Sequence, residues 1–125
     1  MITGVHHLTL RVRNLAASAR FYEDALGLPV ERLADRFRLL VGDTIVVLRE
    51  PLPGTPADDR FSESRIGLDH LSFRIETASE FEGLSQRLRD LGAAVGEPEH
   101  DPHGGGIALA FRDPDNIQLE FYAGR

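Results

Sequence analysis

An α+β fold assembled from two βαβββ modules is the class this sequence predicts, on three observations. The phrase His7-Leu8-Thr9-Leu10-Arg11-Val12 returns as His70-Leu71-Ser72-Phe73-Arg74-Ile75, each copy is followed by a helical stripe, and each stripe by three short strand patterns. Alternation along a strand sends His7, Thr9 and Arg11 to one face, and His70, Ser72 and Arg74 to the corresponding face of the second copy. A chain of 125 residues fits one domain, 1–125, divided into a first module at 3–50, a linker at 51–66 and a second module at 67–123. Each half of the chain has about sixty residues, a size that is marginal alone, so the two are expected to share a core or exchange surfaces with another subunit.

The elements follow in order. Residues 5–12 read as a strand and 15–26 as a helix, in which Leu15, Ala19, Tyr22 and Leu26 recur at helical spacing. Asn14 supplies a start cap and Gly27 a left-handed end. Strands are expected at 30–33, 37–41 and 45–48, with Gly42-Asp43 turning the last hairpin. Residues 51–66 are rich in proline, glycine and charge and read as an exposed linker. In the second copy a strand at 68–75 precedes a helix at 78–91. Thr77 and Glu80 form its capping box, and Phe81, Leu84, Leu88 and Leu91 its apolar stripe. Strands at 94–96, 107–111 and 117–122 complete it, the last two joined by the turn signal Asp113-Pro114-Asp115-Asn116. His7 to His70 spans 63 positions, whereas Asp43 to Asp115 spans 72, so the second copy carries extra loop. Most of it is the segment 99–106, which holds His100, His103 and three consecutive glycines. Such a loop suits closure over a ligand or a plain flexible turn.

Composition narrows the function classes. A formal charge of −6, from 14 basic and 20 acidic residues, argues against a nucleic-acid partner. The absence of cysteine removes disulfides, thiolate metal sites and cysteine nucleophiles. No apolar membrane span or secretion segment opens the sequence, so no membrane partner and a cytoplasmic location are the expectation.

One further polar group matches the repeated histidines. In Ile117-Gln118-Leu119-Glu120-Phe121-Tyr122, the side chains of Gln118, Glu120 and Tyr122 share a face. If that strand and the two repeated strands face one cavity, His7, His70 and Glu120 form a two-histidine, one-carboxylate set. It suits a divalent ion such as iron, manganese, zinc or nickel and leaves positions open for water and substrate. Hydrogen bonding at a strand surface is the alternative for each histidine, and pairing with an arginine for Glu120. His6 alternates onto the face of Leu8 and Leu10, where packing or a strand-end hydrogen bond is expected. His100 and His103 act as acid or base if their loop folds inward, and otherwise face solvent. Thr9 and Ser72 carry hydroxyls toward the proposed cavity. Arg11 and Arg74 either hold acidic substrate groups or close internal ion pairs.

These segments, with Phe21-Tyr22 and Phe111-Arg112-Asp113-Pro114-Asp115-Asn116-Ile117-Gln118-Leu119-Glu120, resemble the vicinal oxygen chelate superfamily of glyoxalase, bleomycin-resistance and dioxygenase proteins across nearly the whole chain. The resemblance implies two βαβββ modules forming incomplete barrels around a ligand cavity, commonly in a homodimer. It also implies metal ligands at His7, His70 and Glu120. Aligning Asp43 with Asp115 sets Leu48 opposite Glu120, so a four-ligand site of the glyoxalase I kind is not expected. The opening Thr3-Gly4-Val5-His6-His7-Leu8-Thr9-Leu10 is similar to that of thiol-transferring fosfomycin-resistance proteins, which implies Thr9 near a substrate oxygen. Compact extradiol dioxygenases offer another three-ligand precedent, with Tyr122, His100 or His103 around the metal.

The expected function is therefore a metal-dependent lyase, transferase or dioxygenase. It acts on a small oxygen-chelating molecule by metal polarisation, with Thr9, His100, His103 and Tyr122 as catalytic candidates and Arg11, Ser72 and Arg74 as substrate contacts. The alternatives are a binding protein that sequesters a small molecule or antibiotic without transforming it, and a thiol-transferring resistance enzyme.

Overall fold

The computed structural model describes residues 1–125, in two compact units, Met1–Asp59 and Arg60–Arg125. Each contains one βαβββ module.

In the first unit, the alternating segment near the start forms β1 (His7–Arg11). Helix α1 (Leu15–Leu26) has the bounds its cap residues dictate. Asn14 Oδ1 accepts the Ala17 N–H at 2.9 Å, and Gly27, at φ 68°, donates its N–H to the Glu23 carbonyl. Leu15 and Leu26 are only half-buried. Phe21 and Tyr22 take the buried positions beside Ala19 and Ala25, edge-to-face at 5.6 Å. The remaining strands are β2 (Glu31–Arg32), β3 (Phe37–Val41) and β4 (Thr44–Arg49). Gly42 sits at φ 58° in the two-residue turn between the last two, the conformation tight hairpins demand.

The sheet order is β1-β4-β3-β2, open at both edges, with β1 parallel to β4 and the other pairs antiparallel. Residues paired across a ladder share a face. One face therefore carries Leu8, Leu10, Leu39, Val46 and Leu48, four of them buried, and α1 contacts β4. The other carries His7, Thr9, Arg11, Arg38, Leu40, Ile45, Val47 and Arg49.

The second unit repeats the plan with β5 (Leu71–Ile75), α2 (Phe81–Asp90), β6 (Glu99–His100), β7 (Ile107–Arg112) and β8 (Gln118–Ala123), in the open order β5-β8-β7-β6. A 3₁₀ turn at Ala78–Glu80 opens the helix, so the expected stretch begins as a tighter coil. Thr77 and Glu80 form the capping box, with the Thr77 N–H donated to Glu80 Oε1 at 3.0 Å. Phe81 and Leu88 are buried, Leu84 and Leu91 half-buried. Leu71, Phe73, Leu109, Phe111, Leu119, Phe121 and Ala123 share the apolar face, on which Phe111 and Phe121 stack at 4.7 Å. The opposite face carries Ser72, Arg74, Ala108, Ala110, Arg112, Gln118, Glu120 and Tyr122.

Three expectations need correction. Residues 94–96 form no strand; Val95 makes a single bridge to Phe111, and the pairing strand is β6. Residues 61–63, read as exposed linker, are half-buried and hydrogen-bonded to the β7–β8 region through Phe61, Glu63, Arg112 and Asn116. Finally, the position equivalent to Glu120 is Val47 rather than Leu48. Ser72 pairs with Glu120 as Thr9 pairs with Val47, and Leu48 lies on the apolar face. The five residues 113–117 between β7 and β8 replace the two between β3 and β4, which displaces a count taken from the turn by one position. No helix is long and apolar enough to cross a membrane.

Candidate metal centre and its surroundings

His70 stands immediately before β5, where the chain enters the sheet beside the start of β8. Its Nδ1 lies 2.7 Å from Asp69 Oδ1, and its Nε2 lies 3.8 Å from Glu120 Oε2. With the Nδ1 proton donated to Asp69, a neutral ring keeps its Nε2 lone pair on the Glu120 side. Glu120 is half-buried in β8 and accepts the Ser72 hydroxyl at 2.8 Å through Oε1, leaving Oε2 as the oxygen nearer the imidazole.

Asp69 is itself held. Gln118 Nε2 donates to its Oδ1 at 3.4 Å, Arg112 donates to Gln118 Oε1 at 2.9 Å, and Arg112 makes a fork to Glu63 at 2.7 and 2.8 Å. That fork holds the Glu63 carboxyl at a pKa of about 2 and raises the Arg112 guanidinium. A continuous polar chain thus runs from Glu63 through Arg112, Gln118 and Asp69 to His70. An imidazole nitrogen and a carboxylate oxygen side by side, the ring oriented by a second carboxylate, is a donor arrangement that fits a divalent ion. No group of three or more His, Cys, Asp or Glu side chains is gathered for a metal anywhere in the chain.

The other expected residues fall as follows. His7 is exposed on β1, its Nδ1 2.9 Å from that of His6, and the His6 carbonyl accepts the Ile45 N–H, so His6 makes strand-end hydrogen bonds rather than packing. Thr9 is exposed on the same face as His7. Arg11 donates to the Glu50 carbonyl at 2.9 Å, and Arg74 is exposed beside Tyr122. His100 is not in a loop. It pairs with Ile107 in β6, and the ladder puts it on the face opposite Glu120. His103 lies in the exposed turn that follows, its N–H donated to Asp101 Oδ1 at 2.9 Å.

Tyr122 shares the Glu120 face and donates its hydroxyl to Asp101 Oδ2 at 2.8 Å. Backbone N–H groups of Gly104 and His103 hold the Asp101 carboxyl low, and Asp101 in turn raises the Tyr122 phenol. The glycines make this approach possible. A Cβ on Gly106 would lie 2.6 Å from the Tyr122 ring and the Ala123 carbonyl, and one on Gly104 would strike Asp101 and Tyr122. The triple-glycine segment is thus packed on Tyr122. Asp69 and Asp101 lie outside the residues that the sequence pattern singles out. The signal for Asp69 was its position directly before a strand histidine, and for Asp101 its position just before the glycines.

Residues 4–121 match the family model described as the glyoxalase/bleomycin resistance protein/dioxygenase superfamily. The chain belongs to that superfamily. Among curated proteins it is 30% identical to the glutathione transferase FosA of Serratia marcescens, over 99% of this chain and 83% of that protein. It is 29% identical to the catechol-2,3-dioxygenase of Bacillus subtilis, over 98% of this chain and 42% of that one. Among solved structures, a domain of the same superfamily from Frankia sp. EAN1pec superposes with a TM-score of 0.80 at 40% identity, covering 100% of both chains. The fosfomycin resistance protein FosX of Mesorhizobium loti superposes at 0.75 with 25% identity, over 100% of this chain and 95% of that one.

Proposed function

We propose that this superfamily member is a metal-dependent enzyme acting on a small molecule that presents adjacent oxygens. The observation that carries the reading is the Asp69–His70–Glu120 arrangement, in which a carboxylate-oriented imidazole faces a second carboxylate at 3.8 Å. His70 Nε2 and Glu120 Oε2 are two donors and His7 is the third, with iron, manganese, zinc or nickel as the candidate ions. The chemistry such an ion supplies is polarisation of a carbonyl or stabilisation of a developing oxyanion.

The chain's own groups do the rest. Asp69 fixes the ring tautomer, and Ser72 holds one oxygen of Glu120 so that the other is left for the site. Tyr122, kept protonated beside Asp101, presents a neutral phenol on the Glu120 face. Thr9 and Arg74 are the exposed polar contacts available to a substrate on the His7 and Glu120 faces respectively. A homodimer belongs to the same reading. Thiol transfer to an electrophile is the favoured variant over ring cleavage, because identity to a glutathione transferase spans 83% of that protein and identity to a dioxygenase only 42%.

Titration of the metal-stripped protein with manganese or zinc tests the reading. One ion per chain is expected, with affinity lost separately in His7→Ala, His70→Ala and Glu120→Ala. Wild-type affinity in all three variants refutes the site. One bound ion without turnover of glutathione with epoxides, or of diols with oxygen, favours sequestration instead.

A further inference from the structure

All fourteen basic residues of this chain are arginines, and three of them, Arg11, Arg38 and Arg49, stand on one face of the first unit's sheet, the face that carries His7. In a chain of net charge −6 this is a local reversal of sign. Anionic partners on that face are few. Arg38 meets Glu31 at 2.9 Å, with both side chains about half exposed. Arg49 reaches only Asp35, at 3.8 Å, and both oxygens of that carboxylate are already engaged by Arg36 at 3.2 and 2.9 Å. Arg11 donates to a neutral carbonyl. The Nε of Arg38 and of Arg49 are both buried and without a hydrogen-bond partner.

A cavity of about 340 Å³ adjoins this cluster, lined by Pro29, Val30, Glu31, Arg38, Leu40 and Ile45. Its walls are apolar apart from the Glu31–Arg38 pair. Leu40 is 65% exposed although it points to this face, so an apolar surface of the cavity stands open to solvent. Ile45 is the ladder partner of His7, which places the cavity directly beside that histidine's strand. Arg38 lies two strands and two residues from His7, about 12 Å between backbones. On the duplicated face of the second unit, Ala110 stands where Arg38 does, and Tyr122 where Arg49 does.

We infer that this cavity is a binding site for a small organic anion, its apolar body laid against Val30, Leu40 and Ile45 and its carboxylate or phosphonate head held by Arg38 with Arg49 behind it. A planar guanidinium offers five donors in a fixed fork, and Glu31 occupies only part of the Arg38 fork, so a second oxyanion is accommodated on the remaining edge. The inference deepens the metal-enzyme reading and rests on it only for calling the bound molecule a substrate. On that footing the enzyme selects acids whose charged end lies well away from the oxygens that chelate.

Titrating the ¹⁵N-labelled, metal-stripped full chain with hexanoate, hexylphosphonate and neutral hexanamide tests the site without involving a metal. At least one anion is expected to bind about fivefold or more tighter than hexanamide, shifting the amides of Arg38, Leu40 and Ile45, and the tighter of the two names the head group. Arg38→Gln is expected to bring that anion down to the affinity of hexanamide, and Glu31→Gln to strengthen it by about twofold to threefold. Equal affinity for all three probes, no binding, or an Arg38→Gln protein that binds the anions unchanged overturns the proposal. None of these results bears on metal binding by His70 and Glu120, which its own titration judges.

Discussion

Asp69 is the residue on which the candidate centre turns, although it is not itself a proposed ligand. A neutral imidazole has two tautomers, and only the one with its proton on Nδ1 directs a lone pair from Nε2 toward Glu120. The 2.7 Å contact to Asp69 selects it. Asp69→Asn keeps the shape but replaces an ionised acceptor with an amide. It is expected to lower metal affinity about 10-fold to 100-fold with the fold intact, read by calorimetric titration beside a circular dichroism spectrum. Unchanged affinity would show that His70 is oriented by something else. Asp101 poses the parallel question for Tyr122. Its carboxylate is the largest influence raising that phenol, so Asp101→Asn is expected to bring the Tyr122 pKa down toward the ordinary value of 10.0. Phenolate absorbance followed against pH in a Tyr22→Phe background reads this directly, and a titration that does not move would dissociate the pair.

At the scale of elements, the second unit is fastened to its lead-in segment by one strong charge pair. Phe61 donates its N–H to the Asp115 carbonyl, Asn116 donates to the Phe61 carbonyl, and Glu63 closes the fork on Arg112 at the end of β7. Glu63 titrates at about 2 in the fold against 4.5 for the free group. A depressed carboxylate contributes stability that is fully present above the unfolded value and disappears as pH falls toward the folded one. Urea midpoints measured from about pH 5 down to pH 2 are therefore expected to fall less steeply in Glu63→Gln than in the parent, and parallel slopes would remove the pair from the account. Glu23, Asp35 and Asp101 are also held low, so part of the acid sensitivity remains in the variant.

Legibility from sequence follows the same local physics. Helix α1 could be read to the residue because Asn14 and Gly27 mark its ends with side-chain chemistry, and β3 because Gly42 and the alternation before it fix a two-residue hairpin. Strand β6 carries no signal, since two residues are too few to show a period, and the pairing of His100 with Ile107 is decided by where the glycine turn returns the chain. Leu48 does not stand opposite Glu120 for a comparable reason: the turns of the two copies differ in length, so equivalent turn residues lie one ladder position apart. At the candidate centre, His70 and Glu120 are legible because ligand-type side chains on alternating strands leave a pattern. The contact of Asp101 with Tyr122 leaves none, because it depends on how the glycine turn packs back on β8, 21 positions away.

For the whole molecule, duplication followed by divergence accounts for a second-unit face that sets Glu120 beside His70 and a first-unit face that carries His7 next to a charged, apolar-walled cavity. The same ladder positions hold Ile45, Val47 and Arg49 in one copy and Gln118, Glu120 and Tyr122 in the other. Each copy keeps its apolar face for its own core, so substitutions on the polar faces changed chemistry at small cost to folding. The metal donors and the Arg38 cavity should then respond separately to their ligands. A metal that binds only the native state adds about 2.7 kcal/mol at a free concentration one hundred times its dissociation constant. Manganese or zinc at that excess is expected to raise the unfolding free energy of the parent and of Arg38→Gln alike by this amount, and to leave His70→Ala unchanged. Hexanoate or hexylphosphonate should show the reverse, stabilising His70→Ala and not Arg38→Gln. Urea unfolding of the three proteins with each ligand gives the comparison. If a single substitution abolished both responses, metal binding and anion binding would be coupled, and the division of labour drawn from the ladders would fail.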